Sequence, residues 1–412
     1  MLTKLFNKLF LKENFQSIIV MFLTVLASII GIFNQKLIIQ NFGANALEMY
    51  ILVLSWFLLL SSFFTFGSRP TYISLRDNKN NLKNYFFSSI LIGSLFSFFF
   101  GLLIFYFLYH TNNFEYHAFI KISIVPFFFF QTINIFFSYY FISIKKPILS
   151  ILFTFLPIPL VSLFLYINLF NNLFLNLSIP SLIIMLFLTL FIYKFLQPVE
   201  WRPFILFNYF KNNFSKAFSF TIADIIDVLA NRISIFFLAY IGNDLSEMVE
   251  FGIAFAFLKI TMVGINSLSM VYSPQLYDSI KSSKKELNSI FNNMRFLFIL
   301  GSILSCIAVF FVGELVISYF YTEKYIYAFK LLMILQIGQV IHSCFGPISL
   351  MGHLAGHPKE IAFYKLITIC IMMGLNLITY DKFGIDVIAY NYILSLVLWN
   401  IIVYFRVRYL KS

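Results

Sequence analysis

The run ILSILFTFLPIPLVSLFLYINL, Ile148–Leu169, holds no charged residue and follows directly on Lys145-Lys146-Pro147. A helix needs about 20 apolar residues to cross the about 30 Å hydrocarbon core of a bilayer, and this run meets that length with a basic pair at one end. Its apolar residues are continuous rather than alternating. Backbone polar groups in lipid must bond internally, so such a run spans as a helix. Outward from it, comparable runs cover Phe15–Ile39, Leu47–Phe66, Leu82–Leu108, Ala118–Ile142 and Leu175–Leu196. A second set covers Phe218–Ile241, Val249–Tyr272, Ile290–Phe311, Tyr327–Met351, Ile361–Tyr380 and Ile385–Phe405. The sequence therefore predicts an all-α, polytopic integral membrane protein of about twelve helices. Composition agrees: 60% of the 412 residues are hydrophobic and 11% charged, too little polar surface to cover a soluble domain of this length. Pro126, Pro157 and Pro159 fall inside predicted spans and are expected to kink them.

Orientation follows from the basic residues between spans. On one side fall Lys4, Lys8 and Lys12, Arg69, Arg76, Lys79 and Lys83, Lys145 and Lys146, and Lys194, Arg202, Lys211 and Lys216. The same side takes Lys281, Lys284 and Lys285, Lys359 and Lys365, and Arg406, Arg408 and Lys411. The opposite side gathers Glu48, Glu115, Asp244, Glu247, Glu250, Glu314 and Glu323 with few lysines. Both termini are therefore expected in the cytoplasm, and an even number of spans agrees, since it places both termini on one side. The net charge of +12 is explained by this asymmetry and by anionic lipid, with no need for nucleic acid.

Before the first span, Leu2, Leu5, Phe6, Leu9 and Phe10 share a helical face, which predicts a short interfacial helix. No small-residue cleavage site follows the first apolar run, so that span is expected to be retained. The longest basic connection divides the chain into an N-terminal six-helix lobe (1–196), a cytoplasmic linker (197–216) and a C-terminal six-helix lobe (217–412). Cys306, Cys344 and Cys370 sit in apolar segments without metal-ligand spacing. His353 and His357 are four apart, but Gly352, Gly356 and Pro358 place them at a turn, and no metal site is expected.

Several segments carry a resemblance. Phe42-Gly43 precedes Tyr50-Ile51-Leu52-Val53, and Gly67-Ser68-Arg69-Pro70 closes that span. Asp224, Asp227 and Asn231-Arg232 are followed by Phe251-Gly252-Ile253-Ala254 and Tyr272-Ser273-Pro274-Gln275, and later by Asn376 and Lys382-Phe383-Gly384-Ile385. With the length and helix count, this pattern resembles the Wzx-type polysaccharide flippases of the multidrug/oligosaccharidyl-lipid/polysaccharide exporter (MOP) superfamily. The resemblance implies two six-helix lobes around a central cavity in a bacterial inner membrane. It implies as cargo an oligosaccharide repeat unit on undecaprenyl pyrophosphate, flipped from the cytoplasmic to the periplasmic leaflet for O-antigen, lipopolysaccharide or capsule biosynthesis. The implied partners are that lipid-linked oligosaccharide, membrane lipids, and a polysaccharide polymerase with its chain-length regulator. No cofactor is expected.

An ionisable group well inside a span costs at least about 2.5 kcal/mol and needs a reason. Asp224, Asp227, Arg232 and Lys259 are such groups. At about 100° per residue, Asp224, Asp227 and Asn231 fall within about 60° of one another and Arg232 about 80° round. One reading places Arg232 and Lys259 as a cationic, substrate-binding pair for pyrophosphate or acidic sugars, with Asp224, Asp227 and Asn231 as coupling candidates. The other makes them an ion-pair network that locks helices together. Gln131, Asn134, Gln336, Gln339, His342 and Asn376 suit sugar hydrogen bonds or, more commonly, bonds between neighbouring helices.

A multidrug or organic-cation exporter of the same superfamily is the first alternative, and it would favour acidic linings. A membrane-embedded polysaccharide polymerase would need room for an active-site lid, yet every predicted outer loop is short. No phosphate-binding Gly-x-x-x-x-Gly-Lys run exists, so ATP is not the expected energy source and an enzyme is not the expected class.

Overall fold

The computed structural model describes residues 12–75, 79–110, 123–144, 146–196, 203–242, 244–282, 284–321, 323–355 and 357–409. The interfacial helix expected before Lys12 and residues 197–202 of the expected linker lie outside these. The first part of the chain forms α1 (Lys12–Phe42), α2 (Ala44–Phe64), α3 (Ser68–Leu75), α4 (Lys79–His110) and α5 (Ile124–Ser143), then α6 (Pro147–Phe155), α7 (Pro157–Tyr166) and α8 (Leu173–Leu196). The remainder forms α9 (Pro203–Tyr240), α10 (Leu245–Ser282), α11 (Lys284–Phe320), α12 (Tyr327–Ser343), α13 (Ile348–Leu354), α14 (Pro358–Phe383) and α15 (Ile385–Tyr409). The described residues contain no strand.

Eight segments are long and apolar enough to cross a membrane on length and composition alone: those in α1, α2, α4, α5, α6 with α7, α11, α14 and α15. Helices α8, α9 and α10, and α12 with α13, coincide with the other four predicted segments. The chain is thus a multi-pass membrane protein, all-α as predicted. It divides into two compact units, one of Phe33–Val228 and one of Met1–Ile32 with Leu229–Ser412. The boundaries fall inside α1 and α9, and residues 203–216, expected as linker, are the opening turns of α9.

The unit Phe33–Val228 is built on phenylalanine. Phe153 stacks on Phe137 at 4.9 Å and on Phe141 at 5.6 Å, while Phe86 meets Tyr140 at 4.4 Å, so α4, α5 and α6 share one aromatic core. Opposite faces of one helix have opposite fates: on α4, Phe86 is buried while Phe99 is 64% exposed, as a lipid-facing residue is.

Spans break where the sequence supplies a reason. Between α2 and α3, Phe66 (φ 47°) and Gly67 (φ 54°) are left-handed, and residues 65–68 are buried. The Ser68 hydroxyl bonds the Thr65 carbonyl and the Thr71 hydroxyl bonds the Gly67 carbonyl at 2.9 Å, which satisfies the interrupted backbone. Pro157 is the first residue of α7, where its missing N–H costs nothing. Pro126 falls in the first turn of α5 for the same reason, and so ends up as a starter of a helix rather than the mid-span kink expected of it. Pro274 lies inside α10, which runs through it, and Pro180 lies inside α8. Between α12 and α13, Gly346 is left-handed (φ 67°) just before Pro347, so the predicted span Tyr327–Met351 is two helices.

In the other unit, α14 packs along α15, and α10, α11 and α12 pack on one another, with α12 also against α15. The start of α10 is fixed by its cap: the Asp244 carboxylate accepts the Ser246 backbone N–H at 2.8 Å and the Ser246 hydroxyl. Those two donors, hydroxyl first, hold the Asp244 carboxyl below the usual carboxylate range.

Candidate functional site

Helix α9 is continuous through Asp224, Asp227, Asn231 and Arg232, so the helical phase assumed for them holds. Asp224, Asp227 and Asn231 are half-buried, and Arg232 is 5% exposed. The two aspartates belong to the unit ending at Val228, and Asn231 and Arg232 to the unit resuming at Leu229.

Within the latter unit three helices converge on one ring. Phe255 of α10 is buried, and the Arg232 guanidinium carbon stands 5.7 Å from its ring centroid. The Lys259 ammonium, one helical turn from Phe255, stands 5.9 Å from the same centroid. Tyr392 of α15 meets Phe255 edge-on, with centroids 5.8 Å apart at 88°, and its hydroxyl donates to the Asn231 Oδ1 at 3.2 Å. The site is therefore Asn231, Arg232, Phe255, Lys259 and Tyr392: two cations against one aromatic face, with a phenol and an amide holding the frame. Among the described residues no carboxylate lies within ion-pair distance of Lys259.

A desolvated cation–π contact is worth about 2 kcal/mol, less than the several kcal/mol it costs to take an ammonium out of water. Two like charges sharing one ring add repulsion. Chemically, Arg232 brings a forked donor of the kind that suits phosphate oxygens and Lys259 a point charge.

Most of the other polar positions bond between helices. Gln131 donates to the Ser181 hydroxyl at 2.7 Å and Asn134 to the Ser181 carbonyl at 3.4 Å, joining α5 to α8. Gln336 accepts from Thr261 at 3.4 Å, Asn376 accepts from Asn391 at 2.8 Å, and His342 meets Asn400 at 2.7 Å. Gln339 is buried within α12, and the Ser343 hydroxyl donates to its backbone carbonyl. His357 pairs with Glu360 at 2.9 Å, and Arg406 reaches the same carboxylate. Among the described residues, no group of His, Cys, Asp and Glu is arranged to hold a metal ion.

Sequence reasoning missed Phe255 and Tyr392. Phe255 had a signal, standing four residues before Lys259 on the same helix. Tyr392 had none, because its contact depends on how α15 packs.

No protein-family model matches the chain, and no curated protein does. Solved structures do. The lipid II flippase MurJ in its inward closed conformation superposes with a TM-score of 0.71 at 15% identity, over 95% of this chain and 87% of that one. The MATE multidrug transporter DinF-BH gives 0.70 at 15% identity, over 95% and 93%. An outward-facing multidrug resistance MATE family transporter of the MOP superfamily gives 0.67 at 14% identity, over 95% and 93%. At such identities the likeness establishes the architecture, and the chain has the polytopic, all-α fold of MOP-type transporters.

Proposed function

We propose that this protein is a flippase that moves undecaprenyl-pyrophosphate-linked oligosaccharide repeat units from the cytoplasmic to the periplasmic leaflet by alternating access, in the manner of Wzx-type proteins. The observation that carries this reading is the pair Arg232 and Lys259 on one Phe255 ring, with no carboxylate at ion-pair distance from Lys259 among the described residues. A pyrophosphate suits two adjacent cations, whereas an exporter of organic cations needs the opposite charge. In this reading both termini are cytoplasmic, residues 1–196 and 217–412 are the two halves, and the product feeds a polymerase with its chain-length regulator. Deleting the gene is expected to trap a lipid-linked oligosaccharide in the cytoplasmic leaflet. Accumulation of short polymer on the outer leaflet, or only a change in sensitivity to cationic drugs, would replace this reading with polymerase or drug exporter.

Asp224 and Asp227 are proposed as the coupling groups. With no phosphate-binding Gly-x-x-x-x-Gly-Lys run in the sequence, cargo movement in this reading draws on an ion gradient or on the membrane potential, worth about 2.3 kcal/mol per charge per 100 mV. Carboxylates three residues apart on one helix face inside a span are groups through which a cation gradient can act on the cycle. Asp224→Asn and Asp227→Asn mimic the protonated form and are expected to bind cargo yet stop net turnover. Unchanged rates and unchanged pH and sodium dependence in reconstituted vesicles would make both residues structural.

A further inference from the structure

We propose that the basic end of α11 is a docking surface for an anionic glycerophospholipid, with Arg295 holding the lipid phosphate. Lys285, Asn288, Asn292 and Arg295 recur every three or four residues and so share one face of the helix, and all four are exposed. Helix α11 is the least covered of the apolar crossing segments, with only 11% of its window buried against 28% or more in every other. Farther along, the same face continues as Ile303, 41% exposed, and Phe310, 62% exposed. The face thus passes from cation and amide to hydrocarbon, the order in which a phospholipid presents its phosphate and then its acyl chains.

The side chain of Arg295 is seated at its base. A Cβ placed on Gly346 would come within 2.9 Å of the Arg295 Cβ and 3.2 Å of its Cγ, so the arginine stem lies against the bare left-handed turn between α12 and α13. The stem packs on the protein while the guanidinium stays free to reach the headgroup layer. Among the described residues no carboxylate lies within ion-pair distance of Arg295. A phosphodiester offers the oxygens that a guanidinium fork grips in pairs, and Asn292, one turn away, adds an amide donor. A net negative headgroup is favoured by Arg295 together with Lys285 at the same end of the helix.

This proposal stands apart from the transport reading, since it concerns resident lipid and not cargo. The test is native mass spectrometry of the full chain in detergent, titrated with phosphatidylglycerol or phosphatidylcholine. Arg295→Gln is expected to weaken phosphatidylglycerol retention by about fivefold and to change phosphatidylcholine little. Arg295→Lys is expected to fall between, and Lys324→Gln, at the opposite end of α11, to match wild type. Thermal unfolding without added lipid checks the fold. If Arg295→Gln does not fold, Asn292→Asp, which places a negative charge on the exposed stripe, is expected to repel phosphatidylglycerol by a similar factor. Retention equal to wild type, equal losses for both lipids, or binding seen only in a dimer would overturn the proposal.

Discussion

Arg232→Ala and Lys259→Ala together are expected to reduce surface glycan by about 100-fold while the protein stays at its normal abundance. A hydrogen bond to a charged group contributes about 1.5–3 kcal/mol, so each substitution alone removes about tenfold or more of the grip on a pyrophosphate. Abundance is expected to hold for a reason visible in the site. Two cations share the Phe255 ring, and removing one relieves both repulsion and the cost of keeping a charge out of water. Arg232→Lys keeps the charge but loses the fork, and is expected to retain part of the activity if one contact suffices. The measurement is glycan level against membrane protein level in a complemented deletion strain. Wild-type glycan in both single variants and the double variant would remove Arg232 and Lys259 from cargo binding.

The second large effect is expected at Gly67. A Cβ there would stand 2.4 Å from the Ala217 backbone oxygen and 2.8 Å from the Phe220 Cβ, and the residue has φ +54°. The close neighbours are backbone or the root of a side chain, so neither can swing away. A left-handed backbone costs a non-glycine residue about 1–2 kcal/mol, and overpacking adds about 1–3 kcal/mol. Gly67→Ala is therefore expected to lower the thermal midpoint of the purified protein sharply and to cut its abundance. Gly301 in α11 is the control: a Cβ there meets nothing within 4 Å, so Gly301→Ala is expected to be neutral or to stabilise α11 by about 0.5–1 kcal/mol through helix propensity. Equal midpoints for Gly67→Ala and wild type would mean that α9 does not press on this turn.

The crossing segments were legible because lipid leaves the backbone few alternatives. An uncharged run such as Ile148–Leu169 has no other use in a chain this apolar. The interruptions were less legible. The break after Phe66 was readable from Gly67-Ser68-Arg69-Pro70, but Gly346 stands within the predicted span Tyr327–Met351, and only a left-handed φ set by tertiary packing distinguishes it from an ordinary helical glycine. Pro126 was misread because a proline's effect depends on its distance from the helix start, and the expected start at Ala118 lies in a segment outside the described residues. Within the site, the charges were readable from their cost in lipid. Their common ring could be suspected from the four-residue spacing of Phe255 and Lys259, but the closing contact from Tyr392 spans from α9 and α10 to α15 and leaves no local trace.

Helix α9, which carries Asp224, Asp227 and Arg232, is absent among the described residues from the segments apolar enough to cross a membrane by themselves, while α11, farther along the chain, is among them and is the least covered. During synthesis, a nascent helix partitions into lipid according to its own hydrophobicity, and charges near its centre oppose that step. Helix α9 therefore depends on a neighbour to enter the bilayer, and a following apolar helix such as α11 is able to commit the chain. The charges of α9 thus impose an order on biogenesis, in which α9 settles in the membrane with a following apolar helix rather than ahead of it.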